Sequence, residues 1–345
     1  MGELQLNSFL SALKGDSHET IPVWYMRQAG RYLPGYTEIR RGMPMKEMCR
    51  DTDTTIRITL EPVDRIGVDA AIIFSDIILP AESMGFAIDF LEGVGPSVKN
   101  SYVSDPSMRS INEFSPAEYG YSTYESIRRI KASRPSVPVI GFSGGPLTIA
   151  SYLAGGKPDR DLHLTKKLIF SGDPGFLRLM QMVTDMVIEN ALSQWKSGAD
   201  AIQIFDSWAG YLSPRQLSIY SERYLEQITS AIGNKIPVIY FSTQTGSMYQ
   251  ILSTAGFNFL SLDWRVELSE VGRSISSEVG LQGNLDPSMV ESAPDLAMRE
   301  GLSIAMSMAD RDNYIFNLGH GVLPGTRPET LLELTRKIHS VERRF

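Results

Sequence analysis

Along this chain, short runs of almost unbroken apolar residues recur between longer amphipathic stretches. The runs are IPVWYM (21–26), DAAIIFS (69–75), VPVIGFS (137–143), DAIQIFDS (200–207), IPVIYFS (236–242), FNFLSLDW (257–264), VGLQGNLD (279–286) and YIFNLGHG (314–321). A strand that faces water on one side alternates apolar with polar residues, whereas a strand covered on both faces has no need to. The runs therefore predict parallel strands buried beneath helices. Helical spacing fills the gaps, as in FLRLMQMVTDMVIENALSQWKSGAD (176–200) and PETLLELTRKIHSVERRF (328–345). The second places Pro328 in its first turn and basic residues toward its end, both favourable to a helix.

Eight strands alternating with helices predict an α/β fold, a single (β/α)8 TIM barrel spanning residues 1–345, with a doubly wound open sheet as the alternative topology. The chain of 345 residues exceeds a common domain length, but barrels reach this size as one unit. No Gly/Ser linker, low-complexity stretch or long charge block marks a boundary. The connections 27–68 and 76–136 are long and are expected to fold over the C-terminal mouth, while the fifth to seventh strands leave room for only short helices between them. Barrel chemistry gathers where strands end. Arg27, Asp76, Asp206, Ser207 and His320 all stand at such ends, so one mouth would collect them.

Composition narrows the class. With 42% hydrophobic and 21% charged residues the chain can bury a substantial core and still shape a pocket for a bulky ligand. The single cysteine, Cys49, excludes an internal disulfide and is too little for a zinc ribbon or iron–sulfur site, which suits a reducing compartment. The first 20 residues lack a basic start followed by an apolar stretch, and no apolar run reaches about 18 residues. A soluble, cytoplasmic protein is expected. The net charge of −7 offers no general attraction to nucleic acid or an anionic membrane, and neither is expected as a partner. Locally the balance reverses. Between Arg27 and Arg50, six cations (Arg27, Arg31, Arg40, Arg41, Lys46, Arg50) face Glu38 and Glu47, a balance of +4 that leaves −11 for the remainder.

Several motifs carry candidate chemistry. In PVWYMRQAGRYLPGY (22–36), Arg27 and Arg31 lie four apart in a turn-prone loop after a strand, and their planar guanidinium forks suit a substrate with several carboxylates. They would equally serve to neutralise the barrel's own acids. Asp76 in FSDIILP is flanked by isoleucines; a poorly solvated carboxylate there would stabilise a cation or accept N–H groups, or else cap the next helix. GFSGGPLTIASYLAGG (141–156) sets glycines where unusual backbone angles or close ligand approach would be permitted, and it lacks the Ser/Thr of a phosphate-binding Walker loop. Tyr152 would point its hydroxyl into the mouth or sit half-buried in the core. Ser207 of FDSWAG has no activating partner in sequence, which favours hydrogen bonding over a hydrolase triad. His320 of NLGHG is the one histidine of four at a strand end.

In order and spacing, PVWYMRQAGRYLPGY, FSDI, GFSGGPLTIASYLAGG, FDSWAG and NLGHG resemble the uroporphyrinogen decarboxylase family, from about residue 8 to the C-terminal helix. The resemblance implies a (β/α)8 barrel, a homodimer, and no metal, cofactor or prosthetic group. It implies conversion of the four acetate arms of uroporphyrinogen III to methyls, yielding coproporphyrinogen III and carbon dioxide in heme biosynthesis. Arg27, Gln28, Ala29, Gly30 and Arg31 match the family's substrate-binding motif, Asp76 the carboxylate that receives the pyrrole N–H groups, and Tyr152, Ser207 and His320 the remaining substrate contacts. Asp76 with Arg27 and Arg31 is thereby implied as the catalytic set. Two departures stand out: Gly35 replaces the acidic residue usual in LPEY or LPEF, and YFSTQTG (240–246) replaces a lysine-containing turn. Corrinoid-linked methyltransferases, which hold zinc through His and Cys, and noncatalytic tetrapyrrole carriers are the rival readings. The lone Cys49 and the missing His-x-Cys at the Asp206–Ser207 strand end weigh against the former.

Overall fold

A computed structural model describes residues 7–91 and 95–343. The first six residues and the last two of the expected C-terminal helix lie outside the described residues. Strands run in the order β1 (Ala71–Ile72), β2 (Ile88–Leu91), β3 (Gly95–Val98), β4 (Val139–Gly144), β5 (Ala201–Phe205), β6 (Val238–Phe241), β7 (Phe259–Ser261), β8 (Gly280–Leu285) and β9 (Tyr314–Leu318). Seven of them form one parallel sheet ordered β1-β4-β5-β6-β7-β8-β9. Ile140 pairs with Ala201 and Leu281 with Tyr314. The order follows the chain without reversal, so the sheet lacks the switch point of a doubly wound fold. That alternative is set aside.

The sheet is curled. Gln282 on β8 donates from Nε2 to Gln203 Oε1 on β5 (3.1 Å) and to Ser261 Oγ on β7 (2.8 Å), and its Oε1 accepts from Trp24 Nε1 (2.8 Å). Side chains three strands apart can meet this way only across a concave interior.

The first predicted strand, 21–26, is not a ladder but a single parallel bridge, Val23 to Phe316. Phe316 N donates to Pro22 O and Trp24 N to Phe316 O on one side, while Asp69 N donates to Val23 O on the other. Two local features limit the pairing. Pro22 has no N–H to give, and the Val23 N–H is taken by the Asp69 carboxylate (2.7 Å) rather than by a backbone carbonyl. Asp69 is held in turn by His339 Nε2 (2.8 Å) from the last helix, Pro328–His339.

The long connection 76–136 holds an antiparallel hairpin, β2 with β3, that the apolar pattern did not predict. Val98 N donates to Gly156 O, which docks the hairpin on the end of the helix Pro146–Gly155. The 23-residue helix Pro174–Lys196 begins at Asp173, whose Oδ1 accepts from Phe176 N (2.8 Å). Between β6 and β8 the helices are short, Tyr249–Ser253 and Leu268–Ser274, as the spacing predicts. Among the described residues, no helix is long and apolar enough to cross a membrane.

Candidate active site

The C-terminal ends of the parallel strands bring the candidate side chains together around Arg27. Arg27 itself adopts a left-handed backbone (φ 56°). Met26 N donates to Asn317 Oδ1 (2.9 Å), Val322 N to Met26 O and Gln28 N to Tyr25 O, so hydrogen bonds on both sides hold the residue in this unfavourable region. A side chain at Gly321 would collide with the Arg27 stem, which lies across the NLGHG turn. Arg27 is exposed, and none of the ion pairs or hydrogen bonds among the described residues engages its guanidinium; the same holds for Arg31. The reading in which these arginines neutralise nearby acids therefore finds no ion pair to support it. Two permanently charged forks stand open to an outside anion.

Asp76 keeps some exposed surface, yet its carboxyl is crowded by the surrounding protein. Burial raises its pKa above the ordinary carboxylate value, against the Ile78 N–H and the Arg27 charge, which favour the ionised form. Its Oδ1 accepts from Ile78 N (3.0 Å). This is a turn two residues long rather than a helix cap: the 3₁₀ segment Leu79–Glu82 has no side-chain cap.

Tyr152 is half-buried on the helix Pro146–Gly155 and stacks on Trp208 at 4.8 Å. Burial and the Asp76 charge push its hydroxyl up to about 12, with Arg27 opposing, so it stays protonated and able to donate. His320 meets Phe241 edge-on at 5.8 Å. Burial, then the Arg27 charge, lowers its pKa to about 4, against the pull of Asp263, so the imidazole is neutral at neutral pH. Arg27 thus acts electrostatically on Asp76, Tyr152 and His320 at once. Ser207 adjoins this group through its neighbour Trp208, and its carbonyl accepts from Thr243 Oγ1 (2.7 Å).

The rest of the first motif divides by task. Gln28 is fully buried; its Oε1 accepts from Tyr25 N (3.1 Å) and its Nε2 donates to Ala70 O (2.9 Å), which spends the amide on joining the 21–26 segment to the start of β1. Ala29 and Gly30 are half-buried in the turn. Arg31 lies on the same loop, but no contact ties it to Asp76 or His320. The departure at Gly35 has a physical basis. Glu61 accepts from Gly35 N (3.0 Å) and Tyr36 N (3.1 Å), capping the helix Pro34–Gly42, and a Cβ at 35 would lie against that carboxylate. An acidic residue at 35 would set two carboxylates against each other.

The glycines of GFSGG serve space rather than unusual angles. Gly144 and Gly145 are absent from the positive-φ positions, and a Cβ on Gly145 would run into Asp206. Asp206 is fully buried, accepting from Thr148 N (3.0 Å), Thr148 Oγ1 (2.8 Å), Tyr220 Oη (2.6 Å) and Tyr240 Oη (3.0 Å).

Sequence reasoning missed one group at the mouth, LDWR (262–265). Buried Asp263 accepts from Gln244 N (2.7 Å), Arg265 N (3.1 Å) and Arg265 Nη1 (2.5 Å), while the Arg265 guanidinium lies 4.5 Å from the Trp264 ring. Gln244 belongs to the departing 240–246 turn, so that turn is stitched to the same aspartate. Arg265 acts electrostatically on His320. The rule that chemistry sits at strand ends would have found this group, had Asp263 been counted with the others.

A broad groove of about 860 Å³ opens at the other end of the strands, near Asn258 and Asn313, away from these residues. Among the described residues, no group of three or more His, Cys, Asp or Glu side chains is placed to hold a metal ion.

Comparison with known proteins places the chain in a family. The family model for uroporphyrinogen decarboxylase matches residues 4–341. The uroporphyrinogen decarboxylase of Thermoplasma acidophilum is 42% identical over 336 residues, covering 97% of this chain and 99% of that protein. That of Picrophilus torridus is 43% identical over 335 residues, with the same coverage. Among solved structures, a methyltransferase from Methanosarcina mazei superposes with a TM-score of 0.80 over 97% of this chain and 98% of its own at 19% identity, a likeness of fold alone. Matched over residues 4–341 and 42% identical to a relative across 97% of its length, this chain belongs to the uroporphyrinogen decarboxylase family.

Proposed function

We propose that this chain is a carboxy-lyase that decarboxylates the four acetate arms of uroporphyrinogen III to methyls, giving coproporphyrinogen III and carbon dioxide in heme biosynthesis. The observation that carries the reading is Arg27, without an ion pair among the described residues, beside Asp76, Tyr152 and His320, in a chain of this family. In this reading the chain is one cytoplasmic domain acting as a homodimer, and the 21–26 segment is the eighth stave of a closed (β/α)8 barrel.

The chemistry uses the substrate as its own electron sink, so no cofactor is required. A proton adds to the pyrrole α-carbon next to the one that bears the acetate arm, leaving a ring whose positive charge reaches the arm-bearing carbon. The bond between the arm's methylene and its carboxylate breaks, carbon dioxide leaves, and the electron pair forms an exocyclic double bond from the methylene to the ring, which neutralises the cation. A second proton on the methylene and loss of the first from the ring leave a methyl group, for a net uptake of one proton. Asp76 accepts the inward N–H groups and stabilises the cation. Arg27 and Arg31 hold carboxylate arms, and either an arginine or an ordered water delivers the proton. Tyr152 and Ser207 offer hydroxyls, and His320 a neutral ring, to the macrocycle's other polar groups. Gln28, Ala29 and Gly30 contribute through the shape of the loop they fix.

The test is anaerobic incubation with reduced uroporphyrinogen III and chromatography of the products after oxidation. Stepwise loss of carboxyl groups is the expected result; binding with the octacarboxylate unchanged would leave a carrier instead. Asp76→Asn should lower kcat about 100- to 1,000-fold while retaining binding. Near-normal turnover would remove Asp76 from this role.

A further inference from the structure

Two serines in the recognised motifs, Ser75 of FSD and Ser143 of GFSGG, have no part in the scheme above. Both line a small cavity behind Asp76, together with Thr123, Tyr119, Asn190 and Gln194. The hydroxyls of Ser75, Thr123 and Ser143 are shut off from solvent, and none makes a hydrogen bond of ordinary geometry; the Tyr119 hydroxyl interacts with Ser75 and Thr123 and the Cys49 thiol with Ser75, while Ser143 has no such neighbour among the described residues. Ser143 and Thr123 are nearly fully buried residues. One orphaned buried hydroxyl costs about 1–3 kcal/mol, and Ser143, with two poorly aligned hydroxyls across the same space, calls for a shared partner. Of the neighbouring amides, Gln194 is bonded through both ends to Phe142 N and O, and Asn190 Oδ1 accepts from Tyr124. The cavity offers about 10 Å³ to the centre of a water molecule, room for a single one with several polar partners.

We propose that Ser75, Thr123 and Ser143 bind one ordered water against the back of Asp76 and act through it as positioning residues for the carboxylate. The water accepts from one hydroxyl and donates to another and to the carboxylate, which presents its opposite edge to the cleft. Its second task is electrostatic. The charged and titratable groups that face Asp76 are Arg27 from the first loop, Tyr36 and Cys49 from the helices Pro34–Gly42 and Met45–Arg50, Tyr119 from the 76–136 connection, and Tyr152. Arg27 alone among them is a cation, and burial works against ionisation. A donor from behind therefore helps keep the aspartate charged. This electrostatic role rests on the reading of Asp76 given above; the water site does not.

A high-resolution crystal structure of the wild-type protein should show one water within hydrogen-bond distance of at least two of the three hydroxyls and of Asp76. Hydroxyls bonded to one another around a dry cavity would overturn the site. For the electrostatic role, the Ser143→Ala and Thr123→Val variants should move the acid limb of kcat/KM up by about half to one pH unit, with near wild-type rates on the alkaline side. Thr123→Ser, which keeps a hydroxyl, should restore the limb. An unmoved acid limb in folded variants, judged by wild-type circular dichroism, would overturn that role. If the wild type turned over no uroporphyrinogen, the function reading and the electrostatic role would fall together, while the crystal structure would still decide the water site.

Discussion

Two aspartates stand at the ends of apolar strands in nearly the same local sequence, IIFSD at Asp76 and AIQIFD at Asp206. Burial raises the pKa of both, yet their surroundings differ in kind. Asp206 is sealed in the core and accepts four hydrogen bonds, from Thr148, Tyr220 and Tyr240, which tie the end of β5 to two helices and to β6. Among the described residues Asp76 accepts one, from Ile78, and sits beside Arg27, which makes no ion pair there. A carboxylate whose lone pairs are filled by its own protein is architecture; one left largely unfilled is free to meet a ligand.

Substitutions separate the two. Asp76→Asn carries the largest expected effect, the loss of turnover given above, with thermal stability close to wild type. Asp206→Ala should do the reverse, because it strands two tyrosine hydroxyls and a threonine in the core: stability falls by about 3 kcal/mol or more, seen as a lowered denaturation midpoint. An unchanged midpoint would mean that the four hydrogen bonds are worth little. Arg265→Ala removes a rim cation that Asp263 and Trp264 hold in place. As the group is partly exposed, KM for uroporphyrinogen should rise only about fivefold, roughly 1 kcal/mol, with kcat little altered. A fall in kcat at constant KM would place it in the chemistry instead.

The smallest effect concerns the seam between the 21–26 segment and Asp69. Burial lowers the His339 pKa, but the hydrogen bond and charge of Asp69 more than offset this, leaving it above the ordinary imidazole value. A raised folded-state pKa means that the stabilisation is complete below about pH 6.5 and is lost as pH rises through the folded value. Wild-type protein should therefore lose a little stability above neutrality, by less than about 1 kcal/mol, and His339→Gln should flatten that slope. Parallel pH curves for the two proteins would exclude the pair as its source.

Much of this was legible in one dimension because burial on both faces leaves a sequence trace. Seven of the eight apolar runs contribute to the sheet ladder, and Arg27, Asp76 and His320 stand where strand-end reasoning puts them. The eighth run, 21–26, reads as strongly as the others, but Pro22 and the Asp69 carboxylate remove two of its possible backbone pairings. The β2–β3 hairpin left little trace because its half-exposed strands, IDFL and GPSV, are short and carry no long apolar run.

By itself the sequence determined the class of fold, the order of the strands and the chemical types gathered at one mouth, since hydrophobic periodicity and strand-end position are local properties. Only the tertiary structure decided which charges are satisfied. Among the described residues it gave Arg27 and Arg31 no ion pair, saturated Asp206, placed Glu61 under Gly35 and brought Asp263 and Arg265 to His320. These outcomes depend on groups far apart in the chain, and a hydrogen bond forms or fails within a few tenths of an ångström, a distance no pattern of residue types encodes.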